Sequence, residues 1–289
     1  MPGVLRYRTF EKLEQENVVT EYIVGIPSGE VIDVTSDEFA RLRKARVIRY
    51  DQQKKMFRFL DANYSSVKKV IFNSPDRLAH IDYVMDALKI KRYKINENLV
   101  VDVDYHVDLT NRKMTKIPVK FGTVTGNFDC QFNNLTNLTN SPHHIGGYFD
   151  CSGNEIYTLI GGPDYVAGGY YCNDNNLETL DGFPTYCEVT FTAERNKLNS
   201  LIGCPQKVTC RNFDVSFNHL RTLKGGPRTT NDFDVSHNSL TTLVGGPEEV
   251  KGTFNCTYNK LFNLLGMPAH HRIIYDEGNK IEEIDNDYY

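Results

Sequence analysis

The chain has 289 residues, 40% hydrophobic and 24% charged, with a net charge of −4, proportions of a globular protein of one large domain or two ordinary ones. No apolar run nears the roughly 20 residues of a membrane helix. The N-terminus Met1-Pro2-Gly3-Val4-Leu5-Arg6-Tyr7-Arg8 lacks an apolar core segment, so neither a membrane span nor a secretory signal is expected. Charge is unevenly spread. Residues 1–100 hold 18 Lys+Arg against 14 Asp+Glu, and the remainder 15 against 23. Neither part reaches the pI above about 9 that marks a nucleic-acid-binding domain, and an acidic C-terminal part disfavours a phosphate backbone as partner.

In chain order, Val18–Ile26 and Val31–Val34 read as strands joined by the turn Pro27-Ser28-Gly29-Glu30. Thr35-Ser36-Asp37-Glu38 is a capping box opening a helix to about Ala45. Val47–Tyr50 and Met56–Leu60 fit a hairpin around Asp51–Lys55. Ser74-Pro75-Asp76 caps a second helix to about Lys89, with Leu78, Ile81, Met85 and Leu88 on one apolar face. Residues 1–92 are therefore expected to form a small α+β domain, whose second helix docks on the open end of the C-terminal region. The cluster Arg41-Leu42-Arg43-Lys44-Ala45-Arg46, with Arg49, Lys54, Lys55 and Arg58, is read as a solvated face rather than a nucleic-acid site.

From residue 93 onward a repeat dominates. An Asn followed two residues later by Leu or Ile recurs at Asn133, Asn154, Asn175, Asn196, Asn218, Asn238, Asn259 and Asn279, at gaps of 21, 21, 21, 22, 20, 21 and 20. Seven prolines from Pro142 to Pro268 keep the same beat, and an aromatic or Ile stands five residues before each Asn. The consensus F-D-C/V-x-x-N-x-L-x-x-L-x-G-x-P matches the leucine-rich-repeat frame, with the aromatic in one Leu slot and Cys or Val in the next. The alternation predicts a short half-buried strand. The Asn ends it, and its amide should bond backbone groups of neighbouring turns. The Leu pair fills the core, and Gly-x-Pro turns the chain back through turns, 3₁₀ or extended segments. Val107 to Ile117 fits as an imperfect first unit with Arg112 in the Asn place. Ile274 to Ile284 fits as the last. The fold class expected is a parallel-β leucine-rich-repeat solenoid over residues 93–289, with about nine short repeats and few helices. Cys130, Cys151, Cys172 and Cys256 share one repeat position, read as a small apolar slot. Without an export signal, reduced thiols and a cytoplasmic location are expected.

The segment from Tyr93 to Gly122, with the repeats after it, resembles a family of leucine-rich-repeat proteins common in tailed bacteriophages. The resemblance covers about residues 90–285. It implies this fold and a phage or bacterial origin, and little chemistry.

No P-loop, dinucleotide, zinc-protease, hydrolase-elbow or paired-cysteine motif occurs, so an enzyme, a cofactor and a resident metal are not expected. His143-His144 and His270-His271 are read as exposed turn residues on the convex side. Two columns are expected to face outward on the concave strands. One holds Asp129, Asp150, Tyr171, Thr192, Asp214, Asp234, Asn255 and Tyr275. The other holds Phe132, Gly153, Asp174, Arg195, Phe217, His237, Tyr258 and Gly278. One carboxylate per rung is thin for Ca²⁺. Exposed aromatics beside acids suit a protein partner, so Asp129, Phe132, Asp150, Tyr171, Arg195, Asp214, Phe217, Asp234, His237, Tyr258 and Tyr275 are the candidate contact residues. The favoured function is a phage-encoded, non-enzymatic module acting on a host protein. A virion or self-assembling component and an N-terminal activity targeted by the repeats are the alternatives.

Overall fold

The computed structural model describes four strands between residues 22 and 59, then residues 75–96 and 98–281. It divides into two compact units, residues 1–80 with 97–99, and residues 81–96 with 100–289. In the first, Tyr22–Gly25 pairs antiparallel with Val31–Val34, and Ile48–Asp51 antiparallel with Met56–Phe59. Tyr22–Gly25 also lies parallel to Met56–Phe59. Both expected hairpins are present, the first strand shorter than the sequence suggested. The expected capping-box helix and its basic cluster up to Arg46 lie outside the described residues, as does Ser74.

The helix spans Pro75–Ala87, with Pro at its first turn, where no backbone donor is needed. Of its expected apolar face, Ile81 and Met85 are buried, and Ile81–Asn96 belong to the same unit as the repeats. Tyr93 donates a hydrogen bond to Asp82 at 2.6 Å, tying the helix to the strand Tyr93–Ile95. That bond, with burial and the charge of Asp82, pushes the phenol up to about 12.

The repeats stack as predicted. Nine parallel strands form one sheet, beginning with Val107–Asp108, Phe128–Asp129 and Phe149–Asp150 and ending with Ile273–Tyr275. We number these rungs 1 to 9. Register is strict: Phe128 pairs with Val107 and Phe149, and Phe233 with Phe213 and Phe254. The inward rings form a continuous buried ladder, with centroids of successive rings 4.8–5.9 Å apart from Phe128 to Phe254. The protein is thus a leucine-rich-repeat solenoid of short β repeats.

The asparagines bind the rungs together. Asn196 accepts from the backbone N–H of Leu177 in the preceding rung at 3.0 Å. Its amide donates to the carbonyls of Cys172 in that rung and of Ala193 in its own. The same triple contact recurs from Asn154 to Asn259, so buried backbone groups that would each cost about 1–3 kcal/mol if unpaired are satisfied. Arg112, in the Asn place of rung 1, instead donates its backbone N–H to Asn133.

The return path is more regular than the sequence implied. Phe121–Val124, His144–Ile145, Tyr165–Val166 and Tyr186–Cys187 form a second parallel sheet on Val101–Val103, closed by antiparallel Tyr93–Ile95. Thr229–Thr230 and Glu249–Val250 continue the pattern further along. His144 is therefore a strand residue, not an exposed turn residue: its ring stacks on Tyr165 at 4.3 Å, and Tyr165 on Tyr186 at 4.7 Å. The turns before the return strands from His144–Ile145 onward hold a left-handed residue. Gly182, with φ of 91°, supplies one where a Cβ would collide with the backbone of Leu159 and Ile160.

Candidate binding face

The outward face of the nine-stranded sheet begins with the residue after each inward ring. Here the acids have a structural task. Asp108, Asp129, Asp150, Asp214 and Asp234 each accept, through Oδ1, the backbone N–H two residues on, at 2.8–3.2 Å. The closed Asx turn steers the chain out of the strand. In rung 8 the neutral Asn255 makes the same bond to Thr257 at 3.2 Å. The bond therefore needs an oxygen and not a charge; in rung 4, where Tyr171 holds this place, the Asn173 N–H goes to the Ser152 hydroxyl at 3.2 Å instead.

The turn leads to the second expected column, which is not on the strand. Phe132, Asp174, Arg195, Phe217, His237 and Tyr258 all have φ between 50° and 55° and stand in a left-handed turn immediately before the ladder Asn. Gly153 and Gly278 occupy the same place in rungs 3 and 9. An L-residue costs roughly 1–2 kcal/mol in this conformation. The two glycines have a reason. A Cβ on Gly153 would come within 2.6 Å of the Phe132 ring, and one on Gly278 within 2.6 Å of the Tyr258 ring. Each aromatic lies over the next rung's glycine.

Rungs 5 to 8 bring the column together. The Arg195 guanidinium lies 4.9 Å over Phe217, Phe217 stacks on His237 at 4.1 Å, and His237 on Tyr258 at 4.5 Å, the rings within 12° of parallel. Arg195 is also paired with Glu194 at 2.8 Å. Phe217 and Tyr258 keep 42% and 55% of their surface in solvent, because stacking covers the faces and leaves the edges open. Asp214 and Asp234 lie half-buried beside them in paired register. Burial, with the charges of Asp234 and Glu194 adding, pushes the Asp214 carboxyl up to about 6 against the opposing bond from Ser216.

Rungs 2 to 4 form a second group. Asp129 and Asp150 are neighbours in register, and burial raises the Asp150 carboxyl above its usual range. Tyr171 packs edge-on against Tyr148, whose hydroxyl donates to Asp129 at 3.4 Å. Phe132 stands apart, 61% exposed over Gly153, and Tyr275 is exposed on the last strand. Sequence reasoning missed Tyr148 and Glu194. Both sit at outward positions of the repeat, one before the inward ring and three after it, and the spacing alone could have found them.

The thiols are buried and free. Burial holds Cys130, Cys151 and Cys172 far above the usual thiol range, and Cys172 donates to the Thr192 carbonyl at 3.1 Å, the behaviour of small core residues. Among the described residues no group of three or more His, Cys, Asp or Glu could hold a metal ion, and no helix is long and apolar enough to cross a membrane.

The geometry defines the class, a leucine-rich-repeat solenoid with an open, decorated sheet. No family model and no curated protein matches the sequence. Among solved structures the chain is similar to YopM from Yersinia enterocolitica WA-314, with 18% identity and a TM-score of 0.42 over 73% of this chain and 53% of that one. The chain thus spans about half the length of that structure.

Proposed function

We propose that this chain is a non-enzymatic protein–protein interaction module that docks its partner on the outward face of the nine-stranded sheet. The observation that carries the reading is strain spent on an exposed surface. Rungs 3 and 9 are built with glycine at the left-handed position, so the turn itself accepts the relaxed residue. Rungs 6 to 8 place Phe217, His237 and Tyr258 there instead, each in an unfavourable conformation and each open to solvent along its ring edge. Mutual stacking, worth about 0.5–1.5 kcal/mol per pair, offsets that cost only in part. Rigid, half-exposed aromatics beside acidic groups are the composition of binding hot spots. In this reading residues 93–289 do the binding, and the small N-terminal unit takes no part in it.

The likeness of residues 93–122 and the repeats to phage leucine-rich-repeat proteins supports the finer reading, a phage-encoded protein acting on a host protein in the bacterial cytoplasm. The test is affinity capture from host lysate with wild-type chain and with the triple variant Phe217→Ala, Tyr258→Ala, Asp234→Ala. A host protein retained by the wild type and lost by the variant is expected. Unchanged capture by the variant removes the sheet face as the docking surface.

A further inference from the structure

The unpartnered sheet face is not merely aromatic; its charge is sorted by position. Each rung offers four outward places: the residue before the inward ring, the one after it, the one two further on and the left-handed residue. Over the nine rungs these places hold nine acidic residues and a single basic one, Arg195, and Arg195 is already bound to Glu194. Of the 15 Lys and Arg after residue 100, the other 14 lie off this face. The segregation is not a by-product of the turn, because Asn255 performs the Asx bond of rung 8 without charge. Within the described residues the pairs Asp214/Asp234 and Asp129/Asp150 are met by neutral donors alone, the Asn255 amide on Asp234 at 2.7 Å and the Gln131 amide and Tyr148 hydroxyl on Asp129 at 2.9 and 3.4 Å, and by no cation. Asp214 and Asp234 stand on adjacent in-register strands, so their backbones are about 4.8 Å apart, and like charges at that spacing repel. Asp129 and Asp150 repeat the arrangement, three rungs or about 14 Å away.

We infer, resting on the docking reading above, that the partner presents Lys and Arg side chains to this face, cationic groups bridging the carboxylate pairs Asp214/Asp234 and Asp129/Asp150 while its apolar groups meet the edges of Phe217 and Tyr258. A guanidinium is the best fit, since its planar fork reaches two carboxylates at once. It would replace the repulsion between neighbouring acids with two charge-assisted bonds. It would also restore full ionisation of Asp214, which burial and the neighbouring anions hold partly protonated near pH 6.

The test uses the full chain and fluorescence anisotropy with a labelled Lys/Arg-rich synthetic peptide, its Glu-substituted counterpart as control, and two charge variants of equal net effect. Asp214→Asn/Asp234→Asn neutralises the face with a residue the repeat already tolerates. Glu155→Gln/Glu178→Gln removes the same charge from exposed positions elsewhere on the repeats. The expected result is that the basic peptide binds and the Glu peptide does not. The face variant should weaken binding about tenfold or more, and the off-face variant by less than about twofold. Equal weakening by both variants would reduce the effect to bulk charge and overturn the inference, as would absence of basic-peptide binding. Capture of the partner from lysate, run with the same variants, separates this from failure of the docking reading. Capture lost in Phe217→Ala/Tyr258→Ala but kept in Asp214→Asn/Asp234→Asn leaves the face as the docking surface and rejects a cationic partner. Capture kept in both rejects both.

Discussion

Replacing Asp214 with Asn should make the protein more stable at neutral pH. In the folded chain the carboxyl is raised from its ordinary 3.8 to about 6, chiefly by burial, with the charges of Asp234 and Glu194 adding. The folded state therefore holds this proton more tightly than the unfolded state does. A group raised in this way contributes stability that is fully present below pH about 4, is lost as pH rises through about 6, and is absent above it. At about 1.36 kcal/mol per pH unit, the displacement from 3.8 to about 6 amounts to about 3 kcal/mol. Solvent reaching the half-buried side chain makes that an upper bound.

Asn removes the charge and keeps the oxygen. The bond from the Ser216 N–H, at 2.8 Å in the wild type, can be retained, as Asn255 shows two rungs on. Urea unfolding of wild type and Asp214→Asn across pH 4 to 8 reads the difference directly. The variant should be the more stable by about 1–3 kcal/mol at pH 7.5, and the gap should close as pH falls through about 6 to about 4. A variant less stable than wild type at pH 7.5, or a gap of constant size across that range, would show that the buried charge is not what destabilises this rung.

Asn196→Leu should cost about 1–3 kcal/mol, because it strands the Leu177 N–H in the core, while the Cys172 and Ala193 carbonyls each keep one donor, from Asn175 and Asn218. Faster hydrogen exchange concentrated in rungs 4 and 5 is the accompanying sign. At position 217 the left-handed backbone, φ of 52°, should make Phe217→Gly more stable than Phe217→Ala by about 1 kcal/mol in thermal or urea unfolding, the reverse of the order on a strand. Tyr170 is a fully buried member of the ring ladder whose hydroxyl has no hydrogen-bond partner among the described residues. Tyr170→Phe should therefore raise stability by about 1 kcal/mol or more, and a lower midpoint would reveal a bond the hydroxyl makes.

The nine rungs could be counted from sequence because rungs 2 to 8 each carry a ring, an Asn and two Leu or Ile at fixed offsets, and a strict stack transmits those offsets to the imperfect rungs 1 and 9. The return strands could not. They are mostly two residues long, too short for alternation to register, and their only trace is the buried residue at Ile145, Val166 and Cys187 with an aromatic or His before it. The left-handed column was misplaced on the strand although the sequence held a clue. Asp214 and Phe217 are three residues apart, and a strand that exposes one must bury the other. Only a break in the alternation lets both face solvent, and the Asx turn supplies it. The neighbourhood of Asp214 and Asp234 was legible, since the repeat already put both in one column, and the register pairs them; the half-burial that sharpens their repulsion was not.

What the fold requires at each outward place and what the chain carries there are separable, and the difference bears on function. The Asx bond needs only an oxygen acceptor after the inward ring, and Asn255 supplies one. Rungs 6 and 7 carry acids instead, in neighbouring places where they repel. Where the acceptor is missing at Thr192, the neighbouring Asn173 supplies one, accepting both the Thr192 hydroxyl at 2.6 Å and the Glu194 N–H at 2.9 Å. The turn likewise requires a left-handed residue, and glycine satisfies it in rungs 3 and 9, yet rungs 6 to 8 carry rings. Both departures run against stability, and rungs 6 and 7 combine them, an acid pair in register and stacked rings on one face. The stacked rings of rungs 6 to 8 beside the acid pair of rungs 6 and 7 make Asp214, Asp234, Phe217 and Tyr258 the first residues to change in a search for the partner, ahead of Phe132 and Tyr275, which stand alone.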